Sequence, residues 1–354
     1  MPLKSRWTLD IPQCSLPTFF FKSPTAPLSD TKRCYLDADH PDTLYFTRAD
    51  FRLWCQRFGL GLQRSKHFKK GDRILLFSGN NIFFPVVFLG TLCGGGIFTG
   101  ANPSFVSREL AYQLKDSGAT YLFCADASLD TGIEAARMVG MSLDKVFVFN
   151  HNNFGSATRI PPQKGCQHWS TLLASAEDAA SFAWDDLRGD ASNTTLALNY
   201  SSGTTGVPKG VDISHRNYIA NTVQFILQAE LHPEYEIKNA RAKWLCFLPM
   251  YHAMAQAIFL ACAFTRGVPV WIMPKFDFLK VLEYIQKYRI TDFTMVPPIA
   301  VALSKSPLVK DYDLSSVEFI GSGAAPLSRE VCAQVEQLWP DKDLNMKQGW
   351  GMTE

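Results

Sequence analysis

The sequence lacks the features that mark several classes of protein. Its 354 residues carry a formal net charge of only +2, and no stripe of Lys and Arg runs along the chain, which argues against nucleic acid as a partner. Its nine cysteines are widely spaced and include no Cys-x-x-Cys pair, so neither a zinc site nor a thioredoxin-type redox pair is indicated. An odd, scattered set of this kind favours a reducing compartment.

Long uninterrupted apolar runs are also missing. Residues 1–21 contain prolines and an aspartate where a signal peptide would need an apolar core. Residues 82–101 and 245–265 are rich enough in apolar side chains to suggest a membrane span, but glycines interrupt the first stretch, and Pro249 and His252 interrupt the second. The sequence therefore predicts buried core elements at both places and no transmembrane segment.

The sequence does contain a regular alternation of short apolar runs and amphipathic stretches. Strands are predicted at 72–79, 119–124 and 145–149, and helices at 81–92, 107–117 (with Ser107 as N-cap) and 127–139. Residues 151–193 are polar and rich in turn-forming residues, and the alternation resumes at residue 195. This pattern predicts an α/β fold with two successive, mostly parallel sheets flanked by helices. The polar segment predicts subdomains of about 1–190 and 191–354.

The stretch YSSGTTGVPKG, residues 200–210, carries the strongest chemical signal. Gly, Ser and Thr after a strand expose backbone N–H groups and hydroxyls together, and Lys209 adds a positive charge, a combination that suits a polyphosphate. The Walker pattern GxxxxGKS/T is not met, since Pro208 stands at the place of its second Gly and Gly210 at the place of its Ser or Thr. The stretch therefore indicates a phosphate site of another kind.

This stretch resembles the signature loop of the adenylate-forming acyl-CoA synthetases and ligases. Four further stretches resemble motifs of that family in the same order: LPMYH at 248–252, TMVPP at 294–298, GSGAAP at 321–326 and QGWGMTE at 348–354. The similarity extends over nearly the whole chain and favours enzymes of the 4-coumarate-CoA-ligase type. It implies the large N-terminal domain of such enzymes, ATP and Mg²⁺ as cofactors, and a small-molecule carboxylic acid that reacts with ATP to form an acyl-adenylate before transfer to CoA.

The resemblance also implies roles for individual residues. The ATP and AMP contacts would be Ser201, Ser202, Gly203, Thr204, Thr205, Gly206, Lys209, Gly323, Ala324, Ala325, Gln348, Gly349, Trp350, Gly351, Met352 and Thr353. Trp350 takes a position where the family has Tyr, and would stack on adenine. His252, Thr353 and Glu354 would act in catalysis, and Glu354 would hold Mg²⁺. Lys275 would contact CoA.

The acyl pocket implied by the resemblance consists of Tyr251, His252, Met254, Ile258 and Ala324. Met254 stands where the aromatic-acid enzymes carry Tyr, so a hydroxyl that could bond a phenolic substrate is missing at that position. Met fills irregular apolar space. The expected substrate is therefore an aliphatic acid or a differently shaped aryl acid, unless another residue supplies the missing hydroxyl.

The resembling enzymes continue beyond the point where this sequence stops, at Glu354. They carry there a ribose-binding Asp, a small β-barrel and a C-terminal lid with a lysine that assists adenylation. The resemblance thus predicts an incomplete large domain without barrel or lid. Two other functions stay open: a non-catalytic nucleotide- or acyl-binding relative, and an adenylation domain that serves a carrier protein in secondary metabolism. The expected location is cytoplasmic or peroxisomal.

Overall fold

Helices and strands alternate along the chain in the computed structural model, which describes residues 5–25, 30–151, 160–201 and 207–353. The helices are α1 Leu16–Phe21, α2 Arg48–Arg64, α3 Phe84–Cys93, α4 Ser107–Ser117, α5 Leu129–Met138, α6 Ala176–Ala180, α7 His215–Glu230, α8 Tyr235–Arg241, α9 Ala253–Ala255, α10 Ala263–Arg266, α11 Phe278–Tyr288, α12 Pro297–Lys305 and α13 Arg329–Glu336. A π-helical segment, Gln256–Cys262, joins α9 to α10. The strands are β1 Arg33–Asp37, β2 Tyr45–Thr47, β3 Arg73–Phe77, β4 Ile97–Ala101, β5 Tyr121–Ala125, β6 Val146–Phe149, β7 Gln167–His168, β8 Thr195–Ser201, β9 Lys209–Ser214, β10 Trp244–Cys246, β11 Val270–Ile272, β12 Asp292–Met295, β13 Phe319–Ser322 and β14 Lys347–Gln348.

These strands form two sheets, each of seven strands among the described residues. The first sheet has the order β7-β6-β5-β3-β4-β8-β9, and the second has the order β14-β13-β12-β10-β11-β1-β2. Neighbouring strands are parallel except at one end of each sheet, where β9 and β2 run antiparallel to their neighbours. The predicted α/β fold with two mostly parallel sheets flanked by helices is confirmed.

The two sheets exchange strands along the chain. β1 lies in the second sheet, where Tyr35 pairs with Val270 of β11, whereas β8 lies in the first sheet, where Ala197 pairs with Phe98 of β4. Sheet membership therefore does not divide the chain near residue 190, and the subdomains of about 1–190 and 191–354 stay a prediction. The N-cap of α4 is Val106 rather than Ser107, and the Val106 N–H donates to Glu109 Oε2 at 3.0 Å.

Helix α3 is buried along its whole length, which explains the first apolar run. Phe88 on this helix packs edge-on against Phe98 of β4, with 5.0 Å between the ring centroids. Residues 82–101 are thus a core helix followed by a core strand, and residues 245–265 run from β10 through the π-helical segment into α10. Within the described ranges, no helix is both long and apolar enough to cross a membrane.

His215 begins α7 and is only 3% exposed. The Leu16 N–H donates to His215 Nδ1 at 2.9 Å, so the imidazole ring joins α1 to α7. Burial lowers the pKa of His215 to about 4, and the charge of Asp185 opposes this only in part. The ring is therefore neutral in the folded protein at neutral pH.

We predict that the folded state loses stability as the pH falls from about 6.5 to about 4. In this window His215 binds a proton in the unfolded chain but not in the folded one. Each unit by which the pH falls therefore lowers the free energy of unfolding, by roughly 3 kcal/mol over the whole window. Thermal melts between pH 7 and pH 4 check this. His215→Gln keeps an acceptor for Leu16 but does not titrate, and it should lose less stability than the wild type. An identical pH dependence in the two proteins would contradict the assignment.

Candidate active site

Among the described residues, segments that carry the predicted motifs lie where strands of both sheets reach their carboxyl ends. Ligands of open α/β sheets bind at this edge. The first sheet contributes the ends of β3, β4 and β8, and the second contributes the ends of β10, β12, β13 and β14. The segment 248–256, which follows β10, contacts both sets of strand ends, as the contacts below show.

The stretch predicted to bind phosphate has both of its described ends in the hairpin β8–β9. Ser201 and Lys209 are paired across this hairpin. Helix α4 fixes the hairpin from outside: the Tyr200 hydroxyl donates to Asp116 Oδ2 at 2.6 Å, and the Tyr112 hydroxyl donates to the Pro208 carbonyl oxygen at 3.0 Å. Lys209 itself is exposed and available to an anionic ligand.

The LPMYH turn is tied to the first sheet by Asn80, which follows β3. The Asn80 side chain donates to the Leu248 carbonyl oxygen at 3.0 Å and accepts from the Met250 N–H at 2.8 Å. Gly100 of β4 lets the turn approach still closer, because a Cβ on Gly100 would lie 2.8 Å from Tyr251 Cβ and 3.0 Å from Tyr251 Cα. The backbone before His252 is therefore held against two strands of the first sheet.

His252 is the N-cap of α9, and the Met254 N–H donates to its Nδ1 at 3.3 Å. Because Nδ1 accepts this bond, the neutral ring carries its proton on Nε2. Burial lowers the pKa of His252, although the residue keeps an exposed surface. A neutral imidazole in this setting can donate one hydrogen bond from Nε2 to an oxygen of a ligand.

Met254 connects the LPMYH turn to the GSGAAP stretch of the second sheet. A Cβ on Gly323 would lie 2.9 Å from Met254 Cε and 3.2 Å from its Sδ, so the absence of a side chain at 323 makes room for Met254. The next residue, Ala324, is exposed and has a φ of 70°, in the left-handed region that disfavours a residue with a Cβ. Ile258 of the predicted pocket, like Met254, is partly buried against the core.

Gln348 bonds the backbone of Leu327, the residue that follows the GSGAAP stretch. Its Oε1 accepts from the Leu327 N–H at 3.1 Å, and its Nε2 donates to the Leu327 carbonyl oxygen at 3.2 Å. The Gly349 N–H donates to the Ser322 carbonyl oxygen at 2.9 Å, which extends the β13–β14 pairing by one residue. The side chain of Gln348 thus shapes the loop, and its predicted contact with a nucleotide stays a prediction.

Residues 349–352 are exposed, and Thr353 is half-buried. Trp350 is 89% exposed and Met352 63%, both unusually high values for large apolar side chains. Within residues 5–353, where described, core packing does not account for Trp350. The exposed indole can stack on a flat ligand, and its contact with adenine stays a prediction.

Lys275 lies in a surface depression with a volume of about 290 Å³. Asp39, Asp277, Lys280 and Tyr284 also line this depression. The Lys280 ammonium donates to Asp39 Oδ1 at 2.7 Å, and the Tyr284 hydroxyl donates to the same oxygen. Lys280 is thus engaged by a carboxylate, while exposed Lys275 remains a candidate to meet an anionic group.

Six predicted residues lie outside the described residues: Ser202, Gly203, Thr204, Thr205, Gly206 and Glu354. Of the side chains that the structure does describe, no three His, Cys, Asp or Glu come together in a way that could hold a metal ion. The predicted roles of these six in binding phosphate and Mg²⁺ stay predictions.

Sequence reasoning missed the residues that hold the site segments together: Asn80, Gly100, Asn199 and Gln256. The last two form a buried pair of hydrogen-bonded amides between β8 and the π-helical segment. One signal was available, since Asn and Gln within apolar runs are costly to bury without a partner. The partner of each, however, follows only from the tertiary structure.

Comparison with known proteins places these motifs in a wider context. The sequence profile of the AMP-binding enzyme family matches residues 30–354. The 4-coumarate–CoA ligase 3 of Arabidopsis thaliana is 34% identical over 309 residues, which cover 87% of this chain and 51% of that protein. A phenylacetyl-CoA ligase of Aspergillus niger is 31% identical over 349 residues, 98% of this chain and 61% of that protein. The chain thus spans about half the length of the first of these curated relatives.

Solved structures show the same fold. A red-emitting luciferase from Phrixothrix hirtus superposes with a TM-score of 0.77 at 27% identity, covering 97% of this chain and 78% of that chain. A long-chain-fatty-acid-CoA ligase from Archaeoglobus fulgidus superposes with a TM-score of 0.80 at 22% identity, covering 98% of this chain and 66% of that chain. The second similarity concerns the fold alone.

The two glycines of the site should respond differently to a methyl group. Gly100→Ala sets its Cβ against the backbone of Tyr251, which cannot move aside, so it should lower the free energy of unfolding by about 1–3 kcal/mol. Gly323→Ala meets the flexible end of Met254 and, at ordinary contact distance, the Gly349 carbonyl oxygen, so it serves as the matched control, with a cost on the order of 0.5–1.5 kcal/mol for a displaced rotamer. Urea unfolding of both variants measures this. Equal losses would show that the Gly100 contact is not tight.

Proposed function

Because the chain belongs to the AMP-binding enzyme family, we propose that it activates a carboxylic acid with ATP and transfers the acyl group to CoA. The observation that carries the proposal is the meeting of three motifs at one edge of the two sheets. Met254, two residues after His252, packs at Gly323, and Gly349 bonds to Ser322. These contacts join residues that are far apart in the sequence, and the Asn199–Gln256 pair joins the same segment to the hairpin that bears Lys209.

The proposed chemistry has two steps. A carboxylate oxygen attacks the α-phosphorus of ATP, the bond from that phosphorus to the bridging oxygen breaks, and pyrophosphate leaves. The thiol sulfur of CoA then attacks the acyl carbon, AMP leaves, and the thiol proton is released. The protein must mainly neutralise the polyphosphate charge and hold the carboxylate in line.

His252 suits the task of orienting the carboxylate. The bond from Met254 occupies its Nδ1, which leaves the Nε2 proton for an oxygen of the acid. Its lowered pKa keeps the ring neutral near pH 7, so the ring contributes a directional hydrogen bond without a positive charge. On this proposal, His252 holds the acid while the phosphate-binding stretch holds ATP.

The nucleotide would lie along the motif residues predicted from the sequence. Ser201 to Gly206 and Lys209 would surround the β- and γ-phosphates, and Gly323 to Ala325 with Trp350 would border adenine. Exposure of residues 349–352 suits this role, because a nucleotide can reach them without displacing packed side chains. Thr353 would bond a phosphate or carboxylate oxygen. Glu354 would hold Mg²⁺, a hard cation that prefers oxygen ligands such as a carboxylate.

The substrate acid is proposed to be apolar where it meets Met254. This thioether and Ile258 present apolar, adaptable surface, and Ala324 adds only a methyl group. An aliphatic acid or an aryl acid without a ring hydroxyl at this point fits such a lining. The finer identity of the acid and the compartment, cytoplasmic or peroxisomal, rest on the family resemblance.

A carrier protein is the alternative acceptor, and binding without catalysis is the alternative function. The depression beside Lys275 favours CoA mildly, because a free ammonium can meet a phosphate there. Offering CoA and a phosphopantetheinyl carrier separately, and measuring which gains a thioester, separates the two acceptors. A protein that binds ATP but exchanges no pyrophosphate would favour the non-catalytic reading.

We expect residues 1–354 to catalyse carboxylate-dependent exchange of pyrophosphate into ATP with an aliphatic or aryl acid. Lys209→Ala should raise the KM for ATP about 10-fold, since a hydrogen bond to a charged group contributes about 1.5–3 kcal/mol. The melting temperature should hardly change, because Lys209 is exposed.

Lys310→Ala is the matched control, since Lys310 is also exposed but follows α12 away from the motif residues. It should leave the KM for ATP unchanged. No exchange by folded wild-type protein with any acid of a broad panel would refute acyl activation by this chain. An unchanged KM in Lys209→Ala would refute only the role of Lys209.

Binding of AMP should change the fluorescence of Trp350. The indole is 89% exposed, so stacking on adenine would remove it from water and alter its emission. Trp350→Phe should lose the response, whereas Trp7→Phe, at another exposed indole, should keep it. A response that survives Trp350→Phe would show that adenine lies elsewhere.

A further inference from the structure

Asn199 and Gln256 form a reciprocal pair of hydrogen-bonded amides in the interior. Asn199 Nδ2 donates to Gln256 Oε1 at 2.9 Å, and Gln256 Nε2 donates to Asn199 Oδ1 at 3.3 Å. Asn199 is 2% exposed and Gln256 is fully buried. Two amides buried this deeply are stable only while each supplies the partners of the other.

Each member of the pair belongs to a different part of the candidate site. Asn199 lies in β8, two residues before Ser201, where the phosphate-binding stretch begins. Gln256 opens the π-helical segment, four residues after His252. The two residues are 57 positions apart in the sequence, so the pair is a direct link between two motifs.

Gln256 is also hydrogen-bonded to the backbone around His252. Its Nε2 also donates to the Tyr251 carbonyl oxygen at 3.3 Å, and its backbone N–H donates to the His252 carbonyl oxygen at 3.1 Å. The Tyr218 hydroxyl donates to the Gln256 carbonyl oxygen at 3.0 Å, which fixes the residue from the side of α7. The N–H groups of the Gln256 side chain therefore hold β8 and the residue before His252 together.

Strand β8 is fixed independently on its other side. The Thr99 hydroxyl donates to the Leu198 carbonyl oxygen at 2.7 Å, and Gln113 of α4 donates to Thr99 Oγ1 at 3.0 Å. Since these bonds anchor the strand beside Asn199 to β4 and α4, movement of the His252 turn relative to the strand must strain or break the amide pair. Two apolar side chains could fill the same volume, but they would not fix a direction or a distance.

We propose that Asn199 and Gln256 are positioning residues, which set the distance between the end of β8, at Ser201, and the His252 turn so that acid and ATP meet in line. This inference rests on the proposed function. Neither residue needs to touch a substrate: Asn199 acts through β8, and Gln256 acts through the Tyr251 and His252 carbonyl groups. Breaking the pair should therefore lower kcat/KM for ATP and for the acid alike.

Kinetics of pyrophosphate exchange test the link as a double-mutant cycle. Asn199→Leu and Gln256→Leu should each lower kcat/KM about 10-fold, for ATP and for the acid alike, because a small misplacement of reacting groups is costly. The double variant should be no worse than either single one, since each substitution breaks the same link. The exchanged pair Asn199→Gln with Gln256→Asn keeps two amides and should recover most of the activity.

Gln56→Leu is the matched control. Gln56 is also a buried amide, 4% exposed, but its Nε2 donates to the Phe182 carbonyl oxygen at 2.7 Å, away from both motifs. It should lower the melting temperature and leave kcat/KM unchanged well below that temperature. A purely structural role for the pair predicts the same result in the Leu variants, and that result would overturn the proposal. Losses of kcat/KM that are additive in the double variant and affect only one of the two substrates would also overturn the proposal.

Amide hydrogen exchange gives a readout other than turnover. Should the Leu variants fail to fold, the double variant Asn199→Gln with Gln256→Asn takes their place. Saturating Mg-ATP should slow amide exchange at residues 251–256 in the wild type, and a broken link should remove most of this protection. Equal protection in all variants, with ATP bound, would refute the link but leave the proposed function intact. No binding of ATP by the folded wild type would refute the proposed function and the inference with it.

Discussion

The close packing of segment 248–256 against the first sheet is the constraint on which the candidate site depends. This segment follows a strand of the second sheet, yet Asn80 bonds its backbone at two points and Gly100 makes room for Tyr251. The Asn199–Gln256 pair ties the same segment to β8 of the first sheet. The segment that contains His252 therefore contacts Gly323 through Met254, and it contacts β8, the first strand of the hairpin that bears Lys209, through Gln256.

The fold was largely predictable from local patterns, and the exceptions have physical causes. Strands such as β3 and β5 are short apolar runs between helices, which is the pattern of a parallel sheet covered on both faces. β4 escaped prediction because the three glycines 94–96 precede it and suggest a turn. β1 and β2 lie in a region without a regular sequence pattern, and the pairing of β1 with β11 joins residues more than 200 positions apart. Such non-local pairing leaves no local pattern.

The site was predictable to a different degree. Motif residues such as His252 and Gly323 follow from resemblance, because their spacing is specific, but resemblance does not say what holds them. Asn80, Asn199 and Gln256 do so through hydrogen bonds to residues far along the chain. Ala324 shows the same limit, since its φ of 70° is a strained value for a residue with a Cβ. The loop keeps this conformation between two fixed ends, the β13–β14 pairing and the bonds from Gln348 to Leu327.

The protonation state of His252 connects this architecture with the proposed chemistry. A protonated imidazole would form an ion pair with the free acid and stabilise it before reaction, which would raise the barrier to attack on ATP. Burial lowers the pKa of His252 and so favours the neutral ring, and the bond from the Met254 N–H occupies Nδ1 and so places the proton on Nε2. On the proposed function, one hydrogen bond would then orient the carboxylate while leaving its negative charge for the α-phosphorus. The positive charge at the site is instead placed on Lys209, at the hairpin, where a polyphosphate needs it.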